Sequence, residues 1–249
     1  MQTRERNREA YSHQGGKIGV LLIHGFTGSP GEMRPLAEYL AQQGYSIEVP
    51  ILSGHCTSVH EMNETTYSDW VQSAYDAYNV LDVRTERVIL VGHSMGGLIA
   101  FYLANRYHAA GIVSMCTPMY LAHFGARLAP LVSWFYPIHK APRPRNTEIM
   151  QYLGGYEETP VRAVKSLNRL IRFVRDELNE IHIPVLVQQA RKDLTVLPES
   201  AEFIYEHLGS TIKDLKWYER SGHMLSIDTD RKEVWGDVLS FIHQIEEAF

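Results

Sequence analysis

Along this chain, short apolar runs alternate with amphipathic stretches from residue 17 almost to the end. Residues 17–24 (KIGVLLIH) are a nearly continuous run of β-branched residues and leucine, the pattern of a strand buried on both faces. A Gly/Ser/Pro-rich turn follows, then a helical pattern over 31–43 that stops at Gly44. Residues 46–52 read as a second strand. Residues 66–83 form an amphipathic helix with Trp70, Ala74, Ala77 and Leu81 on one stripe. The run at 87–92 (RVILVG) is a third strand, and the helix expected over 95–107 is apolar almost all round until Asn105, so it should be central and buried. Strands are expected again at 111–116, 184–190 and 214–218, with helices at 198–208 and 231–247.

Strands that alternate with helices across short turns imply a parallel sheet covered on both faces, an α/β fold. One stretch breaks the rhythm. Between the strands ending at Cys116 and starting at Pro184 there is no strand pattern, only an apolar patch (128–136), a Pro/Arg-rich break (141–145) and helical runs around 161–178. A structureless loop of that length is improbable. The expected organisation is therefore a core in two parts, 1–118 and 182–249, with a helical cap inserted at 119–181. Residues 1–16 are polar and are expected to fray or to add a short edge strand.

Composition narrows the class. The 249 residues are 45% hydrophobic and 21% charged, ordinary values for a globular chain. The net charge is −5 with no basic run to neutralise a phosphate backbone, which argues against nucleic acid as a partner. No segment approaches the ~20 apolar residues of a membrane span, and the charged start (MQTRERNREAYSHQGG) does not read as a secretory signal. Two cysteines, Cys56 and Cys116, give no disulfide framework and fit reduced thiols in a cytoplasmic protein.

The most informative residues are Gly92-His93-Ser94-Met95-Gly96-Gly97. They match G-x-S-x-G between a β-branched strand and an apolar helix, the context that motif requires. A sharp strand-to-helix turn would hold Ser94 in a strained conformation, with small neighbours letting backbone pass closely. Its hydroxyl would lie at the carboxyl edge of the sheet, at a helix N-terminus that favours developing negative charge. A serine needs a base that a third group orients. The expected chain order is Ser, then Asp or Glu, then His. His223, in Ser221-Gly222-His223, follows the last strand and so falls at the same sheet edge; His182 precedes a strand, and His207 and His243 sit within helices. His108, His123 and His139 read as solvated loop residues. Asp193, in Arg191-Lys192-Asp193, follows the strand ending at 190, whereas Asp228 and Asp230 come after the histidine and Asp176 and Glu177 fall in the cap. Asp193 would orient His223 and stabilise its imidazolium. The oxyanion hole should combine the N–H of Met95 with one from the turn His24-Gly25-Phe26-Thr27-Gly28, Phe26 being the expected donor. The His24 ring is expected to fix that turn through a local hydrogen bond.

Together, HGFTG, GHSMGG, RKD and SGH, spaced as they are, resemble the α/β-hydrolase superfamily over nearly the whole chain. Within it, the GHSMGG elbow, CTPMY, VQQARKD and KWYERSGH look like the small bacterial carboxylesterases related to monoacylglycerol lipases. The resemblance implies hydrolysis of short- to medium-chain esters or monoacylglycerols under a small cap, with no metal or cofactor, by a sheet of six to seven strands. It carries the nucleophile onto Ser94, the acid onto Asp193, the base onto His223 and the oxyanion donors onto Phe26 and Met95. One departure is Gly54-His55-Cys56, where many relatives carry glycine at the third position; Cys56 is expected to be an inert thiol.

The pocket is expected to include Met119 and Tyr120, just past the fourth strand, and Leu128, Trp134 and Phe135 of the apolar patch. That patch reads equally as an acyl-chain wall and as packing of the cap onto the core. If exposed, it would allow transient contact with a membrane surface, without stable anchoring. The expected state is a monomer or homodimer. The same triad would serve a thioesterase, a peptidase or a perhydrolase, and a catalytically silent binding protein would be expected to have lost a member of it.

Overall fold

In the computed structural model the first apolar run becomes β2 (Ile18–Ile23), buried at all six positions. The residues described are 5–122, 138–140, 147–156 and 158–248. Alternation along the strand sends its side chains to two separate cores. Ile18, Val20 and Leu22 join α1 (Arg34–Gln42) and α8 (Arg231–Glu247) on one face. Leu21 and Ile23 join α3 (Tyr67–Arg84), α4 (Met95–Ala104) and α6 (Val161–Glu177) on the other. β4 (Arg87–His93) divides in the same way, with Ile89 and Val91 on the first face and Val88 and Leu90 on the second. This double burial is why those strands read as continuous apolar runs.

The sheet has seven strands in the order β1-β3-β2-β4-β5-β8-β9. They are completed by β1 (Tyr11–His13), β3 (Ser46–Val49), β5 (Gly111–Met115), β8 (Val185–Ala190) and β9 (Lys213–Tyr218). All neighbours are parallel except β1 on β3, so residues 11–13 form the edge strand. Because β2, β4, β5, β8 and β9 run the same way, their carboxyl ends share one edge, and the loops after them converge there.

Several boundaries differ from the periodicity. The helix expected from 31 begins at Arg34, after a 3₁₀ turn at Pro30–Glu32. The second strand ends at Val49, where Pro50 follows and the chain turns away. The central helix ends at Ala104, with Asn105 at its C-cap. The short helix α2 (Val59–Glu64) carries too few residues for a periodic signal; Ser58 caps it by accepting from Glu61 N–H at 3.2 Å. A two-stranded ribbon, β6 (Ile138–Lys140) with β7 (Glu158–Pro160), precedes α6, and α5 (Thr147–Met150) lies between the two; α7 (Glu199–His207) follows β8, where a helix over 198–208 is expected.

α6 is amphipathic, and Ala163, Leu167, Leu170, Ile171 and Val174 share one core with Leu21 and Leu90 of the sheet. Its start is pinned by polar contacts: Arg162 N–H donates to Asn63 Oδ1 at 2.9 Å, and Ser166 Oγ accepts from Tyr67 N–H at 2.8 Å. Val161 and Val164 pack on Phe26, which brings the first turn of α6 onto the loop after β2.

Candidate active site

Ser94 is the N-cap of α4 at φ 54°, ψ −119°, the left-handed region that strains any residue with a Cβ. The turn is tight enough to exclude neighbouring side chains. A Cβ on Gly92 would lie 2.2 Å from Gly96 O, and one on Gly96 would lie 2.1 Å from Ile23 O. Ser94 N–H donates to Met115 O at 2.8 Å, tying the turn to β5.

His223 lies beyond β9 and Asp193 beyond β8, both at the carboxyl edge. His223 Nε2 is 3.1 Å from Ser94 Oγ, and His223 Nδ1 is 2.8 Å from Asp193 Oδ2. A carboxylate only accepts, so Nδ1 carries the proton and Nε2 offers its lone pair to the serine hydroxyl. The Asp193 side chain is fully buried, and Oδ1 also accepts from Thr195 N–H and Val196 N–H at 2.8 and 2.9 Å. Burial alone would raise its pKa. The charge and hydrogen bond of His223, with those two N–H donors, outweigh burial and hold it below the usual carboxylate value.

The loop bearing His223 is held by the two carboxylates that chain order sets aside as triad members. Asp230 Oδ2 accepts from Arg220 N–H, Ser221 N–H and Ser221 Oγ–H, each at 2.9 Å, and Asp228 Oδ2 accepts from Gly222 N–H at 2.8 Å. The His223 carbonyl accepts from His93 Nε2–H at 2.8 Å. His93 in turn faces Glu32, a residue within the expected helix over 31–43 to which the sequence assigned no role. Glu32 is buried, and its Oε2 lies 3.6 Å from His93 Nδ1 and accepts from Gly25 N–H at 3.1 Å. At 3.6 Å the Glu32–His93 contact is too long for a hydrogen bond and is an ion pair when His93 is protonated. Burial works against both charges. The pairing outweighs it, lowering the Glu32 pKa and raising that of His93.

On the opposite side, the turn 24–28 faces Ser94. His24 Nδ1–H donates to Gly25 O at 3.0 Å and Nε2 accepts from Leu52 N–H at 3.3 Å, the local fixing role expected of that ring. Phe26 packs edge-on against Trp70 at 5.7 Å. Neither Phe26 N–H nor Met95 N–H donates to another described residue. Tyr156, also absent from the sequence reading, fastens this region. Its N–H donates to Thr27 O at 3.2 Å, and its hydroxyl donates to Gly54 O at 2.5 Å and accepts from Thr57 N–H at 3.0 Å.

Cys56 sits in that same 54–57 loop at φ 57°, a conformation that explains why glycine suits the position. It is half-buried, and burial pushes its thiol up to about 11, so it is not a thiolate near neutral pH. Cys116 is a buried core residue. Its Sγ, a carboxylate oxygen of Asp193 and a ring nitrogen of His223 lie within 4.8 Å of one another, the one grouping with metal-ligand chemistry among the described residues. Two of its three members are already bonded to each other in the serine–histidine–aspartate chain. Met119 is buried in the core and Tyr120 is half-buried under the Arg175 guanidinium, 4.8 Å above its ring. Leu128, Trp134 and Phe135 lie outside the described residues. A cavity of about 680 Å³ lined by Lys17, Gly44, Glu86, Arg87 and Glu246 opens at the opposite edge of the sheet, by the amino ends of β2 and β4, away from this chemistry.

A serine at a strand-to-helix turn, with a histidine and an aspartate from later strand ends of a mostly parallel seven-stranded sheet, defines a serine hydrolase of the α/β-hydrolase fold. The model of the family described as serine aminopeptidase, S33 matches residues 16–230, and the chain belongs to that family. It is 33% identical over 237 residues to a carboxylesterase of Bacillus subtilis (strain 168), covering 95% of this chain and 96% of the relative. It is 32% identical over 237 residues to a thermostable monoacylglycerol lipase of Bacillus sp. (strain H-257), covering 94% of this chain and 93% of the relative. Among solved structures, one from work on the metagenome-derived lipolytic enzymes LipS and LipT superposes with a TM-score of 0.90 at 31% identity, over 96% of this chain and 98% of that one. A monoacylglycerol lipase from Paleococcus ferrophilus shares the fold, with a TM-score of 0.80 at 20% identity over 95% and 99%. Among the described residues no helix is long and apolar enough to cross a membrane.

Proposed function

We propose that the protein is a carboxylic-ester hydrolase acting on short- to medium-chain esters or monoacylglycerols through Ser94, His223 and Asp193. The observation that carries this reading is the unbroken chain Ser94 Oγ, His223 Nε2, His223 Nδ1, Asp193 Oδ2, at 3.1 and 2.8 Å. As Ser94 Oγ attacks the ester carbonyl carbon, its proton passes to His223 Nε2, and Asp193 stabilises the imidazolium. The carbonyl oxygen becomes an oxyanion held by the N–H groups of Phe26 and Met95. The C–O bond to the alcohol breaks as His223 returns the proton to the leaving oxygen. Water, deprotonated by the same nitrogen, then attacks the acyl-serine, and a second collapse frees the acid and restores Ser94. Removing one oxyanion donor typically lowers turnover on the order of 10²–10³.

The substrate class follows the two relatives matched over nearly their whole length, a carboxylesterase and a monoacylglycerol lipase. We assign 119–181 as the inserted cap that selects the acyl chain, with Met119 and Tyr120 beside the pocket. The two free cysteines favour a reducing, cytoplasmic setting, and a monomer or homodimer suffices because all three triad members come from one chain. The test is hydrolysis of 1-monolauroylglycerol and p-nitrophenyl butyrate by the wild type and Ser94→Ala. Turnover of both by the wild type and of neither by the variant supports the reading. If neither ester is cleaved while a fluorophosphonate labels Ser94, the substrate class is wrong, and acyl thioesters and aminoacyl amides are assayed in turn.

A further inference from the structure

We propose that the solvent face of α6 is a docking surface for anionic lipid, holding the enzyme at the interface where its substrate resides; this rests on the ester and monoacylglycerol reading above. From Val161 to Phe173 the exposed positions are Arg162, Lys165, Arg169 and Arg172, and all four are cations. Their spacing of three, four and three residues sets them in one line along the helix, roughly 15 Å long at 1.5 Å per residue. Arg162 pairs with Glu64 at 2.9 Å. Lys165, Arg169 and Arg172 pair with no carboxylate among the described residues. Asp176 and Glu177 lie beyond the line, at the C-terminal end of the helix, and Glu177 is engaged by Arg106 at 3.2 Å.

The stripe runs against the charge of the rest of the molecule. Residues 119–181 hold nine Lys/Arg and six Asp/Glu, and the remaining residues hold 15 and 23. A net-acidic body with one basic helix face approaches an anionic surface in a single orientation. That orientation is productive, because Val161 and Val164, flanking the stripe at the first turn of the same helix, pack on Phe26, the residue after Gly25, which faces Ser94. The docking face and the loop bearing Phe26 thus lie within about one helix diameter of each other, ~10 Å. A nucleic acid of the same charge is disfavoured, because its longer phosphate track would run onto the acidic body beyond this short stripe.

The experiment is cosedimentation of the full chain with phosphatidylcholine vesicles, with and without phosphatidylglycerol, at low and high salt. The wild type should bind the anionic vesicles at low salt, bind the zwitterionic ones at least tenfold more weakly, and be released by high salt. Each cation near an anionic bilayer adds about fivefold to binding. Lys165→Glu/Arg169→Glu changes the face by four charge units and should lower binding by roughly two to three orders of magnitude, with Lys165→Gln/Arg169→Gln intermediate. Both variants should cleave p-nitrophenyl butyrate at the wild-type rate, which also shows that they are folded. Equal binding to both vesicle types, unchanged binding by the charge-reversed variant, or binding to a DNA duplex without binding to vesicles would overturn the proposal. Loss of the hydrolase reading is seen separately, as a wild type that cleaves no ester in solution whatever its vesicle binding.

Discussion

Glu32 and His93 face each other, both buried, 3.6 Å apart behind Ser94, His223 and Asp193, and link two loops of the candidate active site. Glu32 holds Gly25 N–H in the loop before Phe26, and His93 holds the His223 carbonyl. The groups that would bind the oxyanion and move the proton therefore share one charged anchor. Replacing Glu32 by Gln keeps the shape and removes the charge that balances His93. Breaking a buried pair from one side costs about 3–5 kcal/mol. A loss of that order is expected in urea unfolding, with a lower kcat for p-nitrophenyl butyrate. A wild-type midpoint for the variant would show that the pair contributes nothing.

The same groups set the dependence of stability on pH. Asp193 and Glu32 have folded pKa values below their unfolded ones. Their contributions are therefore complete above the unfolded carboxylate value and are lost as pH falls through the folded values. His93 is raised instead, so its contribution is complete below the unfolded imidazole value and is lost as pH rises through the folded one. Stability should pass through a plateau with an acid limb from the carboxylates and an alkaline limb from His93. Urea midpoints measured across pH for the wild type and Glu32→Gln check this: the alkaline limb should disappear in the variant. Its persistence would place its origin elsewhere.

Tyr156→Phe removes one hydroxyl and its three hydrogen bonds, to Gly54 O, from Thr57 N–H and with Thr57 Oγ1, while its own backbone bond to Thr27 O remains. Gly54 O keeps Thr57 Oγ1–H as a donor and the Thr57 N–H is exposed, so the protein should be destabilised by about 0.5–1.5 kcal/mol. The thermal midpoint should fall accordingly.

Gly96→Ala would place a methyl group 2.1 Å from Ile23 O, a backbone atom fixed within the sheet. The elbow must shift, and Ser94 with it. Fluorophosphonate labelling of Ser94 is expected to slow more than about 100-fold, since even an ångström of misplacement costs that much. Wild-type labelling kinetics in a folded Gly96→Ala protein would remove the argument from close approach.

Local sequence determined most of the architecture. Strands buried on both faces leave continuous apolar runs, as at 18–23 and 88–91, and an amphipathic helix leaves a stripe, as from Trp70 to Leu81. The candidate triad was legible for a related reason. In a parallel sheet the residues after strand ends meet at one edge, so strand order alone selects Asp193 and His223 from the other acids and histidines. Tertiary structure decided what depends on approach between distant segments. Glu32 reaches His93, Tyr156 spans to Gly54 and Thr57, and α6 turns its apolar side onto Phe26 and its cations outward. Periodicity records whether a side chain faces the core or water. It does not record which remote partner makes burying a charge or a hydroxyl tolerable, because that depends on how whole elements pack.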